Sequence, residues 1–306
     1  MITVLAGGTG SVKLVRGLAK LIRNMAVISN VGDNIWLYGL YVCPDIDTII
    51  YGLAGLLDER RGWGVKGDSF ECREQLRNLG APGWFSLGDR DIATHLLRTS
   101  MIRAGKSLSE ITFLIKEKYS IDARIIPATD SEVTTRIMTG TGEMHLQEFW
   151  VKHKGAPKVI GVRYDGAEKA AACRAAIDAI RQSDAVIVAP ANPVSSIGPI
   201  VSLADMRNEL AQNRDKVMAI SPLIGKKAVS GPAVKYMKAL GLESSPVGVA
   251  HYYRDFVGTF LISENDHLLA PGIEALGMQV YETNITMKTR QDELRLARHI
   301  LSKIKK

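Results

Sequence analysis

Two aspartates two positions apart, in Pro44-Asp45-Ile46-Asp47-Thr48, stand just ahead of an apolar run at helical spacing (Ile49, Ile50, Leu53, Ala54, Leu57). Carboxylates held after a proline can serve as hard oxygen ligands. Mg²⁺ commonly takes one or two of them and completes its shell with substrate phosphate and water. The simpler role for either Asp45 or Asp47 is to cap the helix that follows. A second cluster, Gly7-Gly8-Thr9-Gly10-Ser11, follows the apolar run 2–5 and precedes Val12, Val15, Leu18, Ala19 and Ile22 at helical spacing. A strand, a glycine turn and a helix start present unpaired backbone N–H groups beside the positive end of a helix dipole, which suits phosphate. The motif is neither the full dinucleotide fingerprint nor a P-loop, and a tight turn without ligand is the plain alternative. A phosphate-cradling turn and an Asp-x-Asp in one chain together suggest metal-assisted phosphoryl chemistry.

Other polar turns fit the same picture. Asn30-Val-Gly-Asp33-Asn34 follows the second apolar run and reads as a ligand-edge loop or an ordinary Asx turn. In Leu87-Gly88-Asp89-Arg90-Asp91, Arg90 is available to a phosphate or carboxylate, and Asp91 can equally be a helix cap. The stretch Asn192-Pro193-Val194-Ser195-Ser196-Ile197-Gly198-Pro199 leaves a strong strand and has the small, kinked composition of a loop wrapping a nucleotide. Residues 221–225, 229–232 and 283–287 read as further strand-end loops. None of the histidines falls into a zinc spacing, and His95 and His145 read as structural or surface residues. No Gly-x-Ser-x-Gly elbow is present, so a covalent nucleophile is not indicated.

Positioning these groups requires a sheet. Short apolar runs at 2–5, 25–29, 185–189, 217–220, 259–262 and 279–281 alternate with helical stretches such as 167–182 and 232–240. The alternation predicts an α/β fold, a Rossmann-like, doubly wound, mostly parallel sheet that binds ligands beyond the carboxyl ends of its strands. Residues 58–120 are helical in pattern, with a capping box at Ser107-Leu-Ser-Glu110. Residues 132–139 and 143–152 read as a β-hairpin about Gly140-Thr-Gly142. The expected organisation is a nucleotide-binding body of residues 1–58 and 155–306, with an inserted α-plus-hairpin region, 59–154, covering the active site.

Composition agrees with an ordinary globular enzyme: 306 residues, 46% hydrophobic and 23% charged. No apolar run reaches membrane-span length and the start lacks a signal-peptide pattern, so the cytoplasm is the expected compartment and no membrane is involved. Cys43, Cys72 and Cys173 form no framework or zinc motif. A net charge of +7 suits nucleic acid or polyphosphate substrates. Aromatics are only 6% and do not interleave with the basic residues, so nucleic acid is not an expected partner. The basic last helix, 290–306, carries Leu294, Leu296, Ala297, Ile300, Leu301 and Ile304 and reads as amphipathic.

Taken in order, Gly7-Gly8-Thr9-Gly10, Cys43-Pro-Asp45-Ile-Asp47-Thr48, Lys66-Gly67-Asp68, Leu87-Gly-Asp89-Arg-Asp91, Pro190-Ala-Asn192-Pro193 through Ser196-Ile-Gly198-Pro199, and Ser230-Gly-Pro232 resemble the 2-phospho-L-lactate transferase family of coenzyme F420 biosynthesis over essentially the whole chain. The resemblance implies a Mg²⁺-dependent transfer of a phospholactyl (or phosphoenolpyruvyl) group. The donor is lactyl-(2)-diphospho-(5′)-guanosine or its enolpyruvyl equivalent, the acceptor is the ribityl hydroxyl of the deazaflavin Fo, and GMP leaves. It also implies a homodimer. On this basis the expected nucleotide contacts are Gly8, Thr9, Gly10, Asn192, Ser195, Ser196, Ile197 and Gly198. Asp47, Gly88, Asp89 and Arg90 are expected toward Fo, Asp45 and Asp47 toward the metal, and Asp45, Asp47 and Arg90 in catalysis. A non-catalytic nucleotide-sugar sensor on the same body would need the phosphate turn but not the acidic motifs. An NAD(P)-dependent oxidoreductase would need a full Gly-x-Gly-x-x-Gly and an acid ending the second strand, where Ser29 and Asn30 stand.

Overall fold

The computed structural model describes residues 1–229 and 232–304. Seven parallel strands form the central sheet: β1 (Ile2–Ala6), β2 (Met25–Ser29), β3 (Arg124–Pro127), β4 (Ala185–Val188), β5 (Val217–Ile220), β6 (Thr259–Ser263) and β7 (Gln279–Thr283). Their order across the sheet is β7-β6-β5-β4-β1-β2-β3. β1 is the pivot. Ile2 pairs with Met25 on one side and with Ala185 on the other, so successive strands are added outward in opposite directions from this point. The crevice where the order reverses is where doubly wound sheets bind ligands. β1, β2, β4 and β5 are buried along their whole length, as strands covered by helices on both faces must be. The polar exception in β1, Thr3, is satisfied: its hydroxyl reaches Ala179 O at 3.1 Å and Ser183 Oγ at 2.7 Å.

Helix α1 (Gly8–Ala19) leaves β1 and packs on α2 (Pro44–Leu53) and on the last helix (Arg290–Lys303). The last helix opens with a Thr289–Asp292 capping box and buries Leu296, Ala297 and Ile300; Lys305 and Lys306 lie outside the described residues. Helices α3 (Glu71–Asn78), α4 (Asp89–Arg103) and α5 (Leu108–Lys118) follow, and the Ser107–Glu110 capping box opens α5 as its sequence predicts.

Several boundaries differ from expectation. The stretch 59–154 is not a clean insertion, because it contributes β3, which pairs with β2 at the sheet edge. Only Ile125 and Ile126 of β3 carry an apolar strand signal, too short a run to separate from the loop after α5. Thr134–Thr139 and Gly142–His145 do form the hairpin, but Val159–Asp165 adds a third antiparallel strand. The second arm then turns into a π-helical segment, Glu148–Lys152, rather than continuing extended. The helix expected over 167–182 begins at Arg174, after an irregular 167–173 segment.

Candidate functional site

A cavity of about 500 Å³ opens at the carboxyl edge of the sheet, beside the β1/β4 switch point. Its floor is the turn after β1, the 30–33 turn after β2 and the turn after β4; α2, α4 and the 61–64 and 146–151 segments form its walls.

At the floor, Gly7 is the N-cap of α1 and contributes no side-chain cap, and no acidic residue occupies the first turn. With the Gly8 N–H turned to Asp45, the helix start offers its remaining N–H groups to an anion. Two glycines are required here. Gly8 has φ +68°, in the left-handed region, and a Cβ on Gly7 would stand 2.9 Å from both Asp45 Oδ2 and Ser196 O. Across from them, Asn192 Oδ1 accepts the N–H groups of Val194 (3.0 Å) and Ser195 (3.2 Å), and this fold-back brings Ser195 and Ser196 to the cavity.

The floor also carries an acid pair. Asn30 Nδ2 donates to Asp45 Oδ2 at 2.8 Å and to Asp33 Oδ1 at 3.0 Å, so one amide bridges both carboxylates. Burial pushes Asp45 up to about 6, against the lowering effect of Asn30 and the Gly8 N–H. Asp33 is raised well above the usual carboxylate range, by burial first and the Asp45 charge second. Two hard oxygen donors that repel one another when ionised make a fitting seat for a small divalent cation.

A second network lies under α4. Asp91, Thr94, His95 and Arg98 share one face of this helix and turn inward. Arg98 is fully buried; its guanidinium grips both oxygens of Asp47, with Nη1 to Oδ2 at 3.0 Å. Burial opposes the Arg98 charge, but the charge and hydrogen bonds of Asp47, together with Cys43 and Tyr51, outweigh it and leave the guanidinium pKa raised. Tyr51 donates to Asp91 Oδ1 at 2.8 Å, and His95 Nε2 lies 3.4 Å from the same oxygen. Burial opposes the Asp91 charge, but His95, Tyr51 and Arg98 together hold its pKa below the usual range.

Asp47, Asp91 and His95 bring ligand atoms within 4.8 Å of one another, a group that could hold a metal ion. The proton arrangement argues for another use. Arg98 Nη1 lies 3.1 Å from His95 Nδ1 and can only donate, so Nδ1 accepts and Nε2 carries the hydrogen. Cys43, at the start of α2, has its thiol pushed up to about 12 by burial and is no nucleophile.

The outer wall is aromatic. Trp63, Phe85 and Trp150 line it, and Arg61 lies 5.4 Å over the Trp63 ring and 4.8 Å over Phe70. Asp58 holds Arg61 there through its backbone N–H (3.1 Å) and Nε (2.9 Å). A wall of rings beside a polar floor suits a planar, partly apolar ligand with a phosphorylated or hydroxylated arm.

A family model described as "2-phospho-L-lactate transferase CofD" matches residues 2–298. The chain belongs to the 2-phospho-L-lactate transferase family. Proteins named 2-phospho-L-lactate transferase are similar along nearly their full length. The one from Methanosarcina acetivorans is 39% identical, covering 97% of each chain. The one from Methanocaldococcus jannaschii is 42% identical, covering 98% of this chain and 97% of that one. The one from Methanopyrus kandleri is 40% identical, covering 98% and 96%. Among solved structures, a UPF0052 family member from Bacillus halodurans shares the fold, with a TM-score of 0.66 at 15% identity and 98% coverage of both chains.

Set against the transferase motifs, the structure sorts the sequence-derived residues into groups. Gly8, Thr9, Gly10, Asp45, Asp47, Asn192, Ser195 and Ser196 all line the one cavity. Ile197 and Gly198 stand behind it, fully buried, with the Tyr164 hydroxyl packed where a Gly198 Cβ would be. Gly88, Asp89 and Arg90 are not on the cavity wall, although their neighbours Leu87 and Asp91 are. Asp89 accepts the Glu71 and Cys72 N–H groups (3.0 and 3.1 Å), capping α3. The Arg90 side chain is exposed and bonds Gly67 O at 3.2 Å. Asp68, not Asp91, caps α4, accepting from the N–H groups of Arg90 (2.9 Å) and Asp91 (3.2 Å). In the Ser230-Gly-Pro232 motif, Ser230 and Gly231 lie outside the described residues.

Sequence reasoning passed over Tyr51, Arg61, Trp63, Trp150 and Arg98, and read His95 as structural or surface. The signal for the α4 group was the i, i+4, i+7 spacing of Asp91, His95 and Arg98, a charged stripe indistinguishable by pattern from a solvated helix face. Among the described residues no helix is long and apolar enough to cross a membrane.

Proposed function

We propose that the chain transfers a phospholactyl or phosphoenolpyruvyl group from lactyl-(2)-diphospho-(5′)-guanosine, or its enolpyruvyl equivalent, to the ribityl hydroxyl of Fo. The observation that carries this reading is the meeting, in one cavity, of a glycine-built helix start without an N-cap side chain, an acid pair bridged by Asn30 and an aromatic wall. The acceptor oxygen attacks the phosphorus bearing the three-carbon acid. A new P–O bond forms, the diphosphate bridge breaks, GMP leaves with the electron pair, and the hydroxyl proton passes to a base. Such transfers ask the protein for positioning and charge neutralisation more than for covalent chemistry.

The glycine turn, Asn192, Ser195 and Ser196 hold the guanosine diphosphate portion. Asp33 and Asp45 would hold Mg²⁺, which when bound would supply neutralisation of charge developing on the phosphoryl oxygens. That choice departs from a metal shared by Asp45 and Asp47, because the Arg98 guanidinium already neutralises the Asp47 carboxylate. Asp47 keeps free lone pairs toward the cavity and orients the acceptor hydroxyl. Trp63, Phe85 and Trp150 take the deazaflavin ring; Arg90, off the wall but next to the wall residue Asp91, would reach the acceptor by leaving Gly67 O. Mixing the protein with Fo, Mg²⁺ and guanylylated phospholactate tests this. Release of GMP that requires all three supports it; nucleotide binding without GMP release favours a sensor on the same fold.

A further inference from the structure

Among the described residues, two buried side-chain polar atoms on the cavity wall have no hydrogen-bond partner, Asn192 Nδ2 and the Tyr236 hydroxyl, whereas His95 Nε2 on the same wall at least faces Asp91 Oδ1 at 3.4 Å. Folded proteins rarely leave such atoms unsatisfied, because burial strips their water without replacing it. When they gather on one cavity, a ligand is the natural missing partner. The Asn192 amide has no freedom to turn away. Its oxygen is committed to the Val194 and Ser195 N–H groups, so its NH₂ must face the other way. Tyr236 sits on the short helix Ala233–Ala239, which packs against the Pro193–Ile197 turn. Its ring is tilted on Phe149 with centroids 5.8 Å apart, and the residue is 1% exposed. Burial, and the Asp33 charge after it, push the phenol pKa upward, so the group stays a donor at any working pH. Two neutral donors beside a turn built for anions call for an acceptor carrying negative charge.

We propose that Tyr236 is a ligand-binding residue of this site: its hydroxyl, like the Asn192 amide on the same cavity wall, donates a hydrogen bond to an anionic oxygen of the nucleoside diphosphate held at the glycine turn. The inference rests on the transferase reading above and adds to it a contact from the far end of the chain, outside every motif that marks the family resemblance.

Tyr236→Phe keeps the ring on Phe149 and deletes only the oxygen. Calorimetric titration of the full chain with GDP and Mg²⁺ is expected to show an affinity about tenfold weaker than wild type. KM for the donor should rise in parallel, with kcat within about threefold. Without ligand the variant should melt at or above the wild-type temperature, because an unsatisfied buried hydroxyl is removed. Asn192→Asp retains the oxygen that folds the turn and replaces a donor by a charge; its loss of GDP affinity should be larger still. A Tyr236→Phe affinity within twofold of wild type overturns the proposal, whatever the melting temperature does. Wild-type protein that binds GDP but transfers nothing to Fo would remove the transfer reaction and leave the Tyr236 comparison intact. Wild type that binds no GDP would overturn both.

Discussion

Asp45→Asn separates what the site costs the fold from what it does for a ligand. Asp45 is buried at 5% exposure and its carboxyl is displaced from 3.8 to about 6. A folded-state pKa above the unfolded value means the folded chain holds the proton more tightly. The associated stability is fully present below about pH 4 and is lost as pH rises through about 6. At neutral pH, in the absence of divalent cation, the ionised carboxylate therefore burdens the fold by about 3 kcal/mol. Asparagine never ionises. It does present an NH₂ to the Asn30 amide, and the mismatch costs about 1 kcal/mol. The variant should be more stable than wild type by about 2 kcal/mol at pH 7.5, and slightly less stable at pH 4. Urea unfolding in EDTA at the two pH values measures both increments, and their difference cancels the pH-independent mismatch. Adding Mg²⁺ at pH 7.5 should raise the wild-type midpoint and leave the variant's nearly unmoved. Equal increments at pH 4 and 7.5 would refute the reasoning, since they would mean that Asp45 does not titrate between those values in the folded chain.

Other perturbations probe the remaining parts. Arg98→Met strands the buried Asp47 carboxylate and should destabilise the chain by about 3–5 kcal/mol, read by urea unfolding; Arg98→Lys should recover part of this. Gly8→Ala forces a Cβ into the left-handed conformation at φ +68°, at about 1–2 kcal/mol. It should also raise KM for the guanylylated donor at least about tenfold by displacing the amides that face the diphosphate. Arg90→Ala touches only an exposed side chain, so stability should hold within about 0.5 kcal/mol. KM for Fo should rise while donor KM does not, and an unchanged KM for Fo would take Arg90 out of the acceptor site.

Much of the fold is legible in the sequence because the central strands are covered on both faces. The runs at 25–28 and 217–220 are continuous in apolar residues and fall within the strands observed. The Ser107–Glu110 cap and the glycine turn after β1 depend on local chemistry that the residues state directly. β3 and Val159–Asp165 are less visible. One is a four-residue edge strand, and the other alternates with charged and half-exposed residues, so pairing partners rather than composition decide them. Half of the site shares this limit. The glycine turn and Asn192–Ser196 each follow a strand, and Asp45 and Asp47 open a helix behind a proline, so local patterns point to them. The Asp47–Arg98 pair joins residues 51 positions apart, and the Asn30 bridge spans 15. Neither Arg98 on a mid-helix turn, which grips Asp47, nor Tyr236 beyond position 230, which lines the cavity, carries a local sign of its place in the site.

The central claim is that the turn after β1 holds a diphosphate while Asp33 and Asp45 hold the cation beside it. A crystal grown with GDP and Mn²⁺, measured for anomalous scattering, addresses this directly. The expected map has diphosphate density against Gly8–Gly10 and Asn192–Ser196, and one manganese peak bounded by Asp33 and Asp45. A manganese peak among Asp47, Asp91 and His95, or diphosphate density away from the glycine turn, would contradict it.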